Sequence, residues 1–96
     1  MRWIKKREIV IYFLLYKKFK YETFNLGEAF EVLKPYFSKK VIISTLKYFN
    51  KIGLASRLSE FNYRLYPFEE FLFMFTYDYL QLRNRRRRKG KFYSSS

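Results

Sequence analysis

The sequence predicts a mainly helical chain with a small β-hairpin, an α+β fold, and three observations support this prediction. Apolar residues recur at spacings of three and four over four segments, as on one face of a helix. Glycine and proline mark segment ends, with Gly53 after the third segment and Pro67 before the fourth. Between them, residues 54–66 contain two short runs of strand-forming residues around a polar turn. The expected order is helix, a possible short strand, two helices, two strands and a last helix.

The first two helices follow from spacing and from residues that stop or start a helix. The first is predicted from Trp3 to Phe19, and the next few residues are rich in strand formers, which makes a short extended segment plausible. Asn25 then stands three residues before Glu28, the spacing of a capping box. Because Pro35 disfavours helical geometry in the residue before it, the second helix should end near residue 33 or 34.

The third helix, residues 38–52, is predicted to have one apolar and one cationic side. Ser38 is its candidate N-cap, and Gly53 stands where a left-handed residue ends a helix. The spacing assigns Val41, Ile42, Thr45, Leu46, Phe49 and Ile52 to the buried side. The residues left for the other side are Lys39, Lys40, Ile43, Ser44, Lys47, Tyr48 and Lys51.

The fourth helix, about 67–84, carries more apolar side chains than one small domain can bury. Such exposed apolar surface usually marks an interface, so we expect a homodimer built mainly on this helix, with a contribution from the first. The alternative is a central helix wrapped by the other three. Residues 1–82 then form one domain that includes this helix, and residues 83–96 form a basic, flexible tail. The predicted dimer stripe is Phe68, Leu72, Phe75, Tyr79 and Leu82.

Charge and composition limit the classes of function. Lys and Arg number 21 against 8 acids, a net charge of +13, which indicates a polyanionic partner. The chain has no Cys and no His, and no Gly-rich phosphate loop, so we expect neither an enzyme nor a metal or cofactor site. The apolar run 9–16 is too short to span a bilayer, which takes about 20 residues. We expect a cytoplasmic protein; its composition is associated with small proteins of AT-rich thermophilic archaea and their viruses.

The three segments "NLGEAFEVLK", "SKKVIISTLKYFNKIGL" and "ASRLSEFNYRLY" together resemble the winged helix-turn-helix family, as positioning helix, recognition helix and wing. The resemblance implies double-stranded DNA binding by a dimeric transcriptional regulator. It implies that helix 38–52 enters the major groove and that hairpin 55–66 contacts the flanking backbone. The implied DNA-contacting residues are the cationic side of the third helix given above, with Arg57 and Arg64 on the wing.

The basic tail and the aromatic residues allow more than one interpretation. The run from Arg83 to Lys91 contains seven cations and no acid, and we expect Arg85, Arg86, Arg87 and Arg88 to contact phosphate. Among the aromatic residues, Tyr48, Phe61 and Tyr66 are expected to be exposed, and most of the others to fill the core. Two other functions stay open: a membrane-surface protein, from apolar helices flanked by cations, and an RNA-binding protein. The lysines of the third helix also fit an ordinary solvated face.

Overall fold

A computed structural model describes residues 3–90, and the side chains of residues 3–85. It confirms a mainly helical α+β fold with a small antiparallel sheet. The short extended segment before the second helix is a third strand of that sheet, so the hairpin is not isolated. The elements are α1 (Lys6–Phe19), β1 (Phe24–Asn25), α2 (Leu26–Leu33), α3 (Lys39–Ile52), β2 (Ala55–Arg57), β3 (Asn62–Leu65) and α4 (Phe68–Gly90).

The predicted start of α2 and both predicted ends of α3 are present with the expected chemistry, whereas α1 begins at Lys6 and not at Trp3. The Asn25 side chain accepts from the Glu28 N–H at 2.8 Å, and the Glu28 carboxylate accepts from the Asn25 N–H at 3.0 Å. Ser38 Oγ accepts from the Val41 N–H at 3.2 Å and caps α3. Gly53 adopts φ 90° and ends α3 in the left-handed conformation. These bonds satisfy backbone groups that a helix end leaves without an intrahelical partner.

The sheet has the strand order β1-β3-β2, and both pairings are antiparallel. Phe24 of β1 lies opposite Tyr63 of β3, and Ala55 of β2 lies opposite Leu65. All four of these side chains are buried, so one face of the sheet covers the helices. The strand at residues 24–25 therefore ties the start of α2 to the hairpin that follows α3.

Tyr12 of α1 lies at the centre of the core. Its ring is fully buried and lies 6.3 Å from the Phe49 ring of α3 and 5.1 Å from the Phe68 ring of α4. Its hydroxyl donates to the backbone carbonyl of Tyr66 at 2.5 Å. One side chain thus connects three helices and the end of the hairpin.

The start of α4 packs on the rest of the chain, and the remainder extends away from it. Phe71 is buried, whereas all described residues after it except Phe75 are exposed. The molecule measures 56 × 22 × 22 Å, which reflects this projecting helix. The alternative of a central α4 wrapped by the other helices is therefore wrong. We call residues 3–71 the body.

Two features of α4 differ from the sequence-based expectation. Phe68 and Phe75, assigned to the dimer stripe, are taken up within the chain: Phe68 lies 5.1 Å from the Phe13 ring, and Phe75 lies 4.8 Å from the Trp3 ring. The helix also continues through residues 83–90, which were expected to belong to the flexible tail. Residues 91–96 of that tail lie outside the described part of the chain.

Candidate nucleic-acid interface

The cationic residues of α3 lie on its solvent side because the opposite side is fixed in the core. Ile42, Leu46 and Phe49 are at most 1% exposed, and this anchors the rotation of the helix about its axis. The residues expected on the free side are accordingly exposed or half-buried. Exposed are Lys39, Lys40, Ser44, Lys47 and Lys51; half-buried are Ile43 and Tyr48.

A shallow surface depression runs along the first half of this side, and we call its lining the α3 outer face: Lys39, Lys40, Ile43, Ser44 and Lys47. The sequence has no acid between Glu31 and Glu60, so the helix supplies no carboxylate to offset these ammonium groups. The lining combines cations, one hydroxyl and one apolar side chain. These groups match phosphate oxygens, base edges and the methyl group of thymine.

Lys39 differs from the other cations of this face. Its Nζ lies 5.2 Å from the centre of the Phe30 ring on α2, a cation–π distance. The contact links the start of α3 to α2 and draws the ammonium group toward that helix. Lys40 and Lys47 are therefore the better candidates for contact with an external anion.

The joint between α3 and the hairpin is held by backbone bonds at a single carbonyl. The N–H groups of Gly53 and Leu54 both donate to the Phe49 oxygen, at 3.0 and 2.9 Å. Leu54 is fully buried, and its own oxygen accepts from the Tyr66 N–H at 2.9 Å. The chain therefore turns from helix to strand without a flexible linker.

A second connection crosses this joint through Asn50, a residue that sequence analysis did not identify. The Asn50 side-chain oxygen accepts from the backbone N–H of Arg57 at 3.0 Å. Asn50 is exposed and lies in the last turn of α3, so its only sequence signal is a short amide side chain near the C-terminus of a helix. The bond fixes the hairpin relative to the α3 outer face.

The two hairpin arginines lie on opposite faces of the hairpin. Arg57 is opposite Tyr63, whose side chain is buried, whereas Arg64 is opposite the exposed Ser56. Residues directly opposite each other in an antiparallel pair point to the same face, so Arg57 belongs to the inner face and Arg64 to the outer one. A surface lying flat on the hairpin meets only one of them.

Arg57 also closes the turn of the hairpin. Its Nη2 donates to the Glu60 carbonyl at 3.0 Å, and the Leu58 N–H donates to the Asn62 carbonyl at 2.8 Å. Leu58 and Phe61 are 46% and 56% exposed, which gives the turn an apolar tip. The hairpin therefore presents Arg64 on its outer face, whereas Arg57 holds the turn.

The three aromatic residues expected to be exposed have different environments. Phe61 is exposed at the turn, Tyr48 is half-buried on α3, and Tyr66 is 36% exposed. The Tyr66 hydroxyl donates to the Glu70 carboxylate at 3.2 Å, and this contact raises the pKa of Tyr66. Tyr66 thus links the hairpin to α4, and Phe61 is the ring best placed to meet an external ligand.

The arginines of the basic run lie on α4, a different element from the α3 outer face. Arg85 is exposed. The side chains of Arg86, Arg87 and Arg88 lie outside the described part of the chain. The structure therefore brings together α3 and the hairpin, while the expected phosphate contacts of the run belong to the projecting helix.

Within residues 3–90, none of the helices has the length and apolar character needed to cross a membrane. Comparison with known proteins returned no matching family model, no similar curated protein and no similar solved structure.

Proposed function

We propose that the chain is a winged-helix protein that binds double-stranded DNA, with α3 as the recognition helix and the β2–β3 hairpin as the wing. The element order α1-β1-α2-α3-β2-β3 and the strand order β1-β3-β2 support the proposal, because they place a short strand, two helices and a hairpin as that architecture requires. The observation that carries the proposal is the cationic α3 outer face, joined rigidly to the hairpin.

An α-helix with its side chains is about 10–12 Å across, and the major groove of B-DNA is about 12 Å wide, so α3 fits the groove. In that position Lys40 and Lys47 neutralise phosphate or donate to guanine, and Ser44 donates to a base edge or a phosphate oxygen. Ile43 contacts a thymine methyl group. The hairpin then lies over the neighbouring backbone, where Arg64 reaches phosphate. We propose that the protein acts in this way as a dimeric regulator of transcription. DNA binding of this kind involves no chemical step and no cofactor.

The test is fluorescence anisotropy with a labelled random duplex, measured over a range of salt concentrations. Lys47→Ala should weaken binding and lower the log-log salt slope by about 1, because one phosphate contact is lost. Lys18→Ala is the matched control: it removes the same exposed charge from α1 and should leave the slope closer to the wild-type value. Equal losses from both variants would contradict a site on α3 and indicate binding through net charge alone.

Selection from genomic fragments then separates a sequence-specific regulator from a protein that coats DNA. Enrichment of one short palindrome supports a regulator. Displacement of the duplex by structured RNA at equal phosphate concentration would instead favour RNA binding.

The exposed apolar side chains of α4 favour a membrane surface as a second candidate partner. Phe73, Met74 and Leu80 are 69%, 61% and 57% exposed, and cations follow them along the helix. Interfacial helices combine these features. Sedimentation with anionic vesicles tests this candidate, and a protein that stays in the supernatant would rule it out.

A further inference from the structure

The part of α4 beyond the body has an apolar stripe that no described element covers. Phe73, Tyr77 and Leu80 follow one another at spacings of four and three, and they are 69%, 53% and 57% exposed. The rings of Phe73 and Tyr77 stack at 6.5 Å, so the stripe is continuous. We call these three residues the free face of α4.

The free face lies on the side of α4 opposite the body. The body-facing residues are Phe68, Phe71 and Phe75, and each residue advances about 100° around a helix of 3.6 residues per turn. Phe73 is therefore about 200° from Phe71. A partner that packs on the free face therefore does not contact the body of the chain that carries this helix.

The free face is also distinct from the dimer stripe expected from spacing. Two members of that stripe, Phe68 and Phe75, make ring contacts within the chain. A third, Tyr79, is 51% exposed but already contacts Arg83, whose guanidinium lies 5.9 Å from the ring centre and donates to the Tyr79 hydroxyl at 3.5 Å. The free face is therefore a separate surface of the same helix.

Charge along α4 changes sign from one end to the other. Glu69 and Glu70 are exposed in the first turn, whereas Arg83 and Arg85 are exposed four turns later. The helix backbone continues through residues 86–90, where the sequence supplies further cations. Two parallel α4 helices would place like charges side by side, whereas two antiparallel helices would place the glutamates of one beside the arginines of the other.

We propose that a second copy of the chain packs on the free face, with the two α4 helices antiparallel. This deepens the proposed function, because it rests on the dimeric DNA-binding protein inferred above and assigns its interface. A 23-residue helix is about 34 Å long. Antiparallel pairing therefore places the two bodies at opposite ends of the helix pair, each facing away from the partner helix.

The exposed area predicts a reversible dimer. Each side chain of the free face has a total surface of about 200 Å², and more than half of it is exposed, so the three contribute about 350 Å² per copy. A standard interface takes about 800 Å² from each partner. We expect a weak, reversible dimer, with monomer and dimer both measurable in solution.

Sedimentation equilibrium of the full chain without DNA tests the interface. The wild-type protein should show a reversible monomer–dimer equilibrium, and Leu80→Glu should raise its dissociation constant at least tenfold by placing a charge on the free face. Leu82→Glu is the matched control, since Leu82 is 43% exposed on another side of the same helix. A wild-type monomer at all concentrations, or equal effects of the two variants, would overturn the proposal. Circular dichroism shows whether both variants remain folded.

The absence of cysteine from the sequence allows a direct test of orientation. Asn84→Cys leaves the three residues of the free face intact and should form little homodisulfide on oxidation. In an antiparallel pair centred near residue 78, the two copies of residue 84 lie about 18 Å apart along the axis, too far for a disulfide. An efficient Asn84→Cys homodisulfide would show parallel helices and overturn the assignment.

Duplex binding of the same variants distinguishes failure of this interface from failure of the proposed function. On a short duplex that accommodates one body, Leu80→Glu should bind as the wild type does, because the α3 outer face is intact. A wild-type protein that dimerises but does not bind the duplex would refute the proposed function alone. Retained binding by a chain that never dimerises would refute the interface alone.

Discussion

Asn50 of α3 accepts a hydrogen bond from the backbone N–H of Arg57 of β2, with 3.0 Å between Oδ1 and N. The helix and the hairpin are therefore connected twice, through the covalent turn at Gly53 and Leu54 and through this side chain. Two connections that do not lie on one line fix an angle, whereas a single connection allows rotation. The orientation of the hairpin relative to the α3 outer face is thus a property of the folded chain before any ligand binds.

Replacing Asn50 by Ala should loosen this orientation without removing a charge. We expect duplex affinity to fall and the salt slope to keep its wild-type value, because no phosphate contact is lost. The free energy of unfolding should fall by about 1 kcal/mol, the usual net contribution of one hydrogen bond. Hydrogen exchange of the Arg57 amide, compared with that in Asn84→Ala, checks the mechanism. Unchanged exchange would show that Asn50 does not hold the joint.

Gly53 should tolerate Asn better than Ala. Its φ of 90° is unfavourable for a residue with a Cβ, although an added Cβ would meet no atom within 4 Å. The penalty is therefore conformational, about 1–2 kcal/mol for Ala and less for Asn, which visits the left-handed region more readily. Urea denaturation of both variants measures the difference. Equal stability of the two would mean that the backbone relaxes out of the left-handed conformation.

Arg57 and Arg64 should respond differently to substitution by Ala, because they lie on opposite faces of the hairpin. Arg64→Ala should weaken duplex binding and lower the salt slope by about 1, as expected for a phosphate contact. Arg57→Ala should mainly speed amide exchange in residues 58–61, since its guanidinium holds the Glu60 carbonyl. Matching losses of affinity for both would indicate that the hairpin inserts into a groove with DNA on both faces.

Stability should fall at alkaline pH through Tyr12. Burial raises the pKa of Tyr12 above its ordinary value of 10.0. The unfolded chain therefore loses this proton first as pH rises, so the stabilisation is complete below about pH 10 and decreases above it, by at most about 1.4 kcal/mol per pH unit.

Tyr12→Phe removes this group and the bond to the Tyr66 carbonyl. At pH 7 the variant should be less stable by about 1 kcal/mol. Its stability should also decline less steeply than that of the wild type between pH 10 and 11.5. Urea midpoints of the two proteins at pH 7, 10 and 11.5 provide the comparison. Parallel alkaline profiles would show that Tyr12 does not titrate differently in the folded chain.

Features governed by neighbouring residues were predictable from the sequence. The reciprocal bonds of Asn25 and Glu28, the Ser38 cap and the left-handed Gly53 each follow from local rules. The buried stripe of α3 follows from periodicity alone, and the positions of its lysines follow from that stripe. These local signals account for the secondary structure and for the α3 outer face.

Features that depend on distant contacts were not predictable in the same way. The faces of Arg57 and Arg64 depend on strand register, and the role of Asn50 depends on how closely the hairpin approaches α3. Spacing also cannot distinguish an apolar stripe that packs within its own chain from one that packs on a partner chain. Phe68 and Phe75 are therefore expected at a dimer interface, whereas they contact Phe13 and Trp3 of the same chain. The arginine run is helical because Arg is a strong helix former, which outweighs the repulsion expected of a tail.

The two-residue strand β1 has a consequence for the rate of folding. Its pairing joins residues 24–25 to residues 62–63 and encloses α2, α3 and β2 in one loop. Closing a loop of this length must precede any gain from the Phe24 and Tyr63 contact, whereas each helix and the hairpin form locally. Nucleation therefore belongs to the helices and the hairpin, and the pairing of β1 with β3 forms after the rate-limiting step. Substitutions at Phe24 should accelerate unfolding more than they slow refolding.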